Sequence, residues 1–188
     1  MTRHSRILAS DFSLPSDEGI VDVLSSNNDS LAKLGAHHMV VYSGLDDPRR
    51  VFATLGLHDR GSIDKLLRNP AVMDWFDAAG VEEIPPLFAG EVVEKIDLVD
   101  EPADHTGIIV AAIAPIDNVD VLLAKVRGSL RRFIAAGVRR VWIYRAFDDR
   151  NEVMILQELD TEEHATAWVY PPLFVGKLQR VLELQLQA

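Results

Sequence analysis

The chain has 188 residues, 48% of them hydrophobic and 26% charged, with a net charge of −10 and no cysteine. That length holds one large domain or two small ones. The missing thiols exclude disulfides, thiolate metal sites, iron–sulfur clusters and cysteine nucleophiles, and the acidic balance opposes nucleic acid binding. No apolar run reaches the roughly 18–20 residues that cross a bilayer, and the N-terminus lacks the apolar core of a signal peptide. A cytoplasmic protein with neither a membrane nor a nucleic acid partner is the expectation. The basic stretch from Lys125 to Arg140 is expected as the solvated face of a helix running into a strand.

In chain order, Ser5–Leu14 reads as a strand. Ser16, Asp17 and Glu18 open a helix with Ile20, Val23, Leu24, Leu31 and Leu34 near one face, and Gly35 stops it. His37–Leu45 is rich in strand formers, Asp46-Asp47-Pro48 turns the chain, and Arg49–Leu57 returns as a hairpin. Ser62 is positioned to cap a helix that Pro70 interrupts and Gly80 ends; Leu87–Val99 is a fourth strand. Residues 100–106 form a polar linker.

The second half repeats this order. Gly107–Ile116 is a strand, and Asp117-Asn118 starts a helix with Val119, Leu122, Leu123, Val126, Leu130, Phe133 and Ile134 on one face. Gly137 stops it. Arg139–Phe147 and Glu152–Leu159 are strands around Asp148-Asp149, and Thr161 caps a helix that Pro171-Pro172 must break. A last strand closes the chain. At an offset of 102 residues, Ile7/Ile109, Ala9/Ala111, Gly35/Gly137, Tyr42/Tyr144, Asp46/Asp148, Asp47/Asp149, Val51/Val153, Leu57/Leu159 and Pro70/Pro172 are identical. The coincidence of turns and helix stops at one offset says more than the identities do.

Each half therefore reads strand–helix–strand–strand–helix–strand, the ferredoxin-like βαββαβ unit. The expected fold is α+β: two tandem units, residues 1–99 and 107–188, whose bare sheet faces cover each other in one eight-stranded antiparallel barrel with helices outside. The repeated order, the helices broken at Pro70 and Pro172, and the strand pairs around Asp46-Asp47 and Asp148-Asp149 resemble the dimeric α/β-barrel superfamily. That superfamily includes antibiotic-biosynthesis monooxygenases, haem-degrading monooxygenases, muconolactone isomerase-like, stress-responsive and chlorite dismutase-like proteins. The resemblance implies both barrel halves in one chain, as an internal pseudo-dimer that is a monomer or associates further into a homodimer.

Strand alternation puts His38, Val40 and Tyr42 on one face and Met39 and Val41 on the other; Arg140, Trp142 and Tyr144 are their counterparts, against Val141 and Ile143. The aliphatic set suits packing under helices. The mixed set suits a cavity with a few polar groups. His38, Tyr42, Arg140, Trp142 and Tyr144 are thus expected to point into the barrel around a small apolar or aromatic molecule. His38 or His58 would move a proton. Tyr42, Tyr144 and Trp142 would orient the substrate and exclude water. Trp75, His164 and Trp168 on the helices are candidates for the pocket mouth. His37 and His38 face opposite ways and cannot chelate one ion; no metal is expected.

The residues call for no cofactor. The resemblance keeps haem in view through His164, on a late helix. The haem-degrading pattern of a strand asparagine with a helix tryptophan and histidine is not matched: the first strand offers Ser10 and Asp11, and no histidine follows Trp75 in its helix. Two functions follow. One is a cofactor-independent monooxygenase or isomerase acting on a small aromatic or apolar substrate. The other is a non-catalytic ligand-binding or stress-responsive barrel.

Overall fold

A computed structural model describes residues 5–25, 28–83, 85–100, 105–168 and 174–186. Among them the elements run β1 (Arg6–Ser13), α1 (Ile20–Ser25), α2 (Asn28–Lys33), β2 (Ala36–Gly44), β3 (Arg50–Leu57), α3 (Gly61–Arg68), α4 (Pro70–Ala78), β4 (Leu87–Asp97), β5 (Ile108–Pro115), α5 (Val119–Gly128), α6 (Leu130–Ala135), β6 (Val138–Ala146), β7 (Glu152–Leu159), α7 (Glu162–Ala167) and β8 (Phe174–Gln185). The fold is α+β with eight strands, antiparallel in every pairing given below. No helix among the described residues is long and apolar enough to cross a membrane. The chain forms two compact units, Met1–Ala89 with Arg180–Ala188, and Gly90–Gln179. The division falls within β4 and β8. Linker residues 101–104 and Pro171-Pro172 lie outside the described residues.

In the first unit β3 lies between β1 and β2. Leu8 pairs with Leu55, Ser10 with Ala53 and Phe12 with Val51; across β2, Met39 pairs with Leu55 and Val41 with Ala53. Paired positions share a face, so Leu8, Ser10, Phe12, Met39, Val41, Ala53 and Leu55 form one side of the sheet. Leu24, Leu31, Leu66, Val72, Trp75 and Phe76 are among the buried helix residues of the unit. Each fully buried aliphatic or phenylalanine side chain contributes about 1.5–3 kcal/mol of transfer free energy.

Local chemistry sets the breaks. The predicted helix after Ser16 is two short helices, α1 and α2. Gly35, at φ +104, ends α2 and donates to the Ala32 carbonyl at 3.1 Å. Ser62 is not the cap of α3: the Asp59 carboxylate accepts its backbone N–H at 2.8 Å, and Ser62 lies inside the first turn. Pro70 splits the helix as expected. Asn69 takes an extended conformation (φ −90, ψ 130), as a residue before proline prefers, and its side chain accepts from Ala71 N–H at 2.9 Å to restart the chain as α4.

In the second unit β5 pairs with β7 and β8, and β6 with β7 and β4. The predicted long helix is α5 and α6. Asn118 caps α5 by accepting from Asp120 and Val121 N–H groups. Only Leu123, Val126 and Phe133 of its predicted face are buried; Ile134 is 55% exposed.

Several backbone details recur 102 residues on. Asp47 accepts from Arg50 N–H at 3.0 Å and Asp149 from Glu152 N–H at 3.1 Å. Gly35 accepts from His58 N–H at 3.1 Å and Gly137 from Asp160 N–H at 3.0 Å. Leu14 donates to Arg49 and Ile116 to Asn151. The strand irregularity between Ala36 and His38 returns between Val138 and Arg140.

Candidate functional site

The helix-facing side of the first unit's sheet does not close completely against its helices. Leu8, Ser10, Phe12, Met39 and Leu55 from the strands, with Leu31, Val72, Trp75 and Phe76 from α2 and α4, surround a cavity of about 40 Å³. Its wall is almost wholly apolar. Phe12, Trp75 and Phe76 form a mutual edge-to-face cluster, with centroid separations of 5.9, 5.4 and 5.3 Å. Two of the wall residues carry polar groups. The Ser10 hydroxyl makes a long bond of 3.4 Å to the Pro86 carbonyl. The Trp75 indole N–H is buried and finds no acceptor among the described residues. Such a group costs roughly 1–3 kcal/mol, so an orphaned donor beside a void marks a place where an acceptor fits.

Of the nine residues singled out from sequence, only Trp75 lines this cavity. His38 and Tyr42 occupy the opposite sheet face, as alternation requires once Met39 faces the helices. His38 is 2% exposed, and its Nε2 lies 2.9 Å from Glu183 Oε1, whose other oxygen accepts from Arg180 at 2.9 Å. Tyr42 leans on Phe52 with a 6.2 Å centroid separation. His58 is exposed; its ring sits 4.8 Å from that of His37, and no group of three or more potential metal ligands occurs among the described residues.

In the second unit Arg140, Trp142 and Tyr144 pair with Glu158, Leu156 and Met154 of β7. Arg140 is 6% exposed and donates to Glu158 Oε1 at 2.6 Å, while its Nε lies 3.2 Å from Asp97. His105 Nδ1 meets the other Glu158 oxygen at 2.8 Å. The buried carboxylate is thus balanced by a guanidinium and an imidazole, which a buried charge requires. Tyr144 is buried and Trp142 half-buried. His164 is half-exposed and bonded to Asp160 at 2.6 Å. Trp168 follows α7 and donates its indole N–H to Gln157 Oε1 at 2.6 Å. His164 and Trp168 do not meet at a common pocket mouth in these contacts.

Sequence reasoning passed over Gln157, Glu158 and His105. The signal was present: two adjacent polar residues inside the apolar run Val153–Leu159, where a strand buried on both faces needs a specific partner for each. Haem does not fit the cavity. No histidine lines it, so it offers no imidazole ligand for iron.

No protein-family model matches the chain, and no curated protein matches it. Solved structures share its fold. An anthrone oxidase-like protein superimposes with a TM-score of 0.62 at 12% identity, over 98% of this chain and 94% of its own. A candidate monooxygenase of Fusobacterium nucleatum gives 0.57 at 15% identity, over 98% and 96%. A second, of Lactobacillus acidophilus, gives 0.54 at 10% identity, over 96% and 94%. At such identities the likeness is one of fold.

Proposed function

We propose that the cavity beneath α2 and α4 binds a small, planar, largely apolar molecule carrying one acceptor oxygen, a carbonyl or phenolate, which takes the Trp75 N–H. The observation that carries this is the buried indole donor without an acceptor in an otherwise apolar wall. An apolar cavity needs about 150 Å³ to hold a benzene ring, so at about 40 Å³ this one admits an aromatic ligand only when a wall side chain moves. Met39 is the wall residue best able to yield, since an unbranched thioether repacks at low cost.

The chemistry that suits such a site is oxidation of an enolisable aryl ketone by dioxygen. The substrate enters as its enolate, its proton lost to solvent. The ring carbon bonds one oxygen of O2. The O–O bond then breaks as the remaining C–H proton is lost, and the methylene has become a carbonyl while the second oxygen leaves as water. No titratable side chain lines the cavity, so the protein's part is to exclude water and to stabilise the enolate oxygen through the Trp75 N–H. The fold shared with an anthrone oxidase-like protein favours this class. The second reading, ligand binding without turnover, is favoured by that same lack of a proton-accepting residue.

Anthrone and related aryl ketones test both. Expected are a thermal shift and a 1:1 complex by native mass spectrometry, with oxygen uptake if turnover occurs. Binding without oxygen uptake would leave the binding reading standing. No complex with any planar ketone would remove both.

For the fold, the proposal is one ferredoxin-like unit written twice, closing into a single barrel within the chain. The recurrence of turn and bulge hydrogen bonds at 102 residues supports it. Residues 1–99 and 107–188 expressed apart should associate one to one. Two halves that each fold as stable monomers would overturn it.

A further inference from the structure

The second unit repeats the register that builds the cavity, with a different outcome. In the first unit Leu55 is paired with Leu8 on one side and Met39 on the other, and it lines the void. The residue 102 positions later is Gln157, paired with Val110 and Val141, each also 102 positions on. Both valines are buried, at 1% and 0% exposure, and Gln157 itself is 2% exposed. A side-chain amide in that apolar setting is tolerable only with a partner. Its acceptor oxygen receives the Trp168 indole N–H at 2.6 Å. The ring meets Phe133 of α6 edge to face, 5.4 Å between centroids and 84° between planes. Trp168 is not part of the α7 helix: it is the capping residue after it, at φ −82 and ψ 83. The indole is therefore placed at the end of a six-residue helix, with its N–H directed to an acceptor that strand β7 holds rigidly.

We propose that the second unit carries a latent aromatic-binding site which the chain's own Trp168 fills, and that Gln157 selects the occupant: a planar heteroarene presenting an N–H donor, of the indole class. The two sites then have opposite polarity. The first offers a donor and takes an acceptor; the second offers an acceptor and takes a donor. Gln157 discriminates because a ligand without the N–H leaves a buried carbonyl oxygen unpaired.

The test is chemical replacement of the deleted ring. Trp168→Gly is melted with and without indole, and with benzofuran, which has nearly the same shape but a ring oxygen in place of the N–H. At ten times its dissociation constant indole should raise the Tm of the variant by about 3–6 °C more than that of the wild-type chain, by mass action for a protein of this size. Subtracting the wild-type response removes any binding in the first unit, so this result is independent of the Trp75 site. Benzofuran should bind about 5–10-fold more weakly than indole. Adding Gln157→Leu should abolish the preference while keeping binding of the ring. If Trp168→Gly is unfolded, the reading is recovery of the far-ultraviolet dichroism on titration with indole. No stabilisation or recovery with indole, or equal effects of indole and benzofuran, would overturn the proposal.

Discussion

Replacing Trp75 by phenylalanine separates what the indole ring does for packing from what its N–H does for a ligand. The N–H is buried and without an acceptor among the described residues, so the wild-type apo protein carries a cost of about 1–3 kcal/mol that phenylalanine removes. Against this, the smaller ring gives up part of the contact with Phe12 and Phe76, where an aromatic pair contributes about 0.5–1.5 kcal/mol beyond its buried area. The opposing terms leave a net change within about 1 kcal/mol, or roughly 2–4 °C in Tm for a chain of this length. Binding behaves otherwise. A ketone oxygen that relieves the orphaned donor gains about 1–2 kcal/mol, so Trp75→Phe should weaken an aryl ketone by ~5–30-fold while leaving the matching hydrocarbon unchanged. Calorimetric titration of both ligands into both proteins, with thermal melts alongside, measures all four quantities. A loss below twofold for the ketone, or hydrocarbon and ketone binding equally to the wild-type chain, would refute the assignment of Trp75. So would a fall in Tm beyond about 8 °C, because the N–H would then be structural.

Three further expectations rest on other contacts. Gly137 sits at φ +88, and an added Cβ would collide with Asp160 Oδ1 and His164 Nδ1, so Gly137→Ala should cost about 1–3 kcal/mol in a urea melt; an unchanged midpoint would contradict that geometry. Glu158→Gln removes the buried one of the two carboxylates beside Arg140, Asp97 remaining at 3.2 Å, and should destabilise by about 1–3 kcal/mol, whereas Glu91→Gln at a half-exposed pair with Arg145 should change stability by less than about 1 kcal/mol. The Asp59 carboxyl titrates below its ordinary range, chiefly because it accepts the Ser62 backbone N–H, with burial opposing. A depressed carboxylate contributes stability above its unfolded pKa and loses it as pH falls, so the loss should appear below about pH 4. Asp59→Asn, which keeps the acceptor but cannot ionise there, should flatten part of that acid dependence in melts between pH 2.5 and 5; an unchanged slope would show that Asp59 does not contribute.

The element order was legible because it depends on local chemistry. Strand formers alternate along β2, β3, β6 and β7, Asp-Asp turns join each hairpin, and Gly35 and Gly137 stop helices with positive φ. Proline alone dictated the break at residue 70. Alternation also divided His38 and Tyr42 from Met39 and Val41 correctly as two faces. It could not say which face holds a void. Composition pointed to the mixed polar face; the cavity beneath α2 and α4 is a residue of imperfect packing, set by how Leu31, Val72, Trp75 and Phe76 from separate helices meet Leu8, Ser10 and Met39. The same limit hid the difference between Trp75 and Trp168. As letters they are two tryptophans near two prolines; in three dimensions one indole N–H is stranded and the other reaches Gln157, eleven residues away along the chain. Sequence determined which groups this protein could offer. Only the tertiary structure decided which of them are satisfied, because a hydrogen bond across elements depends on distances of a few tenths of an ångström that no periodicity encodes.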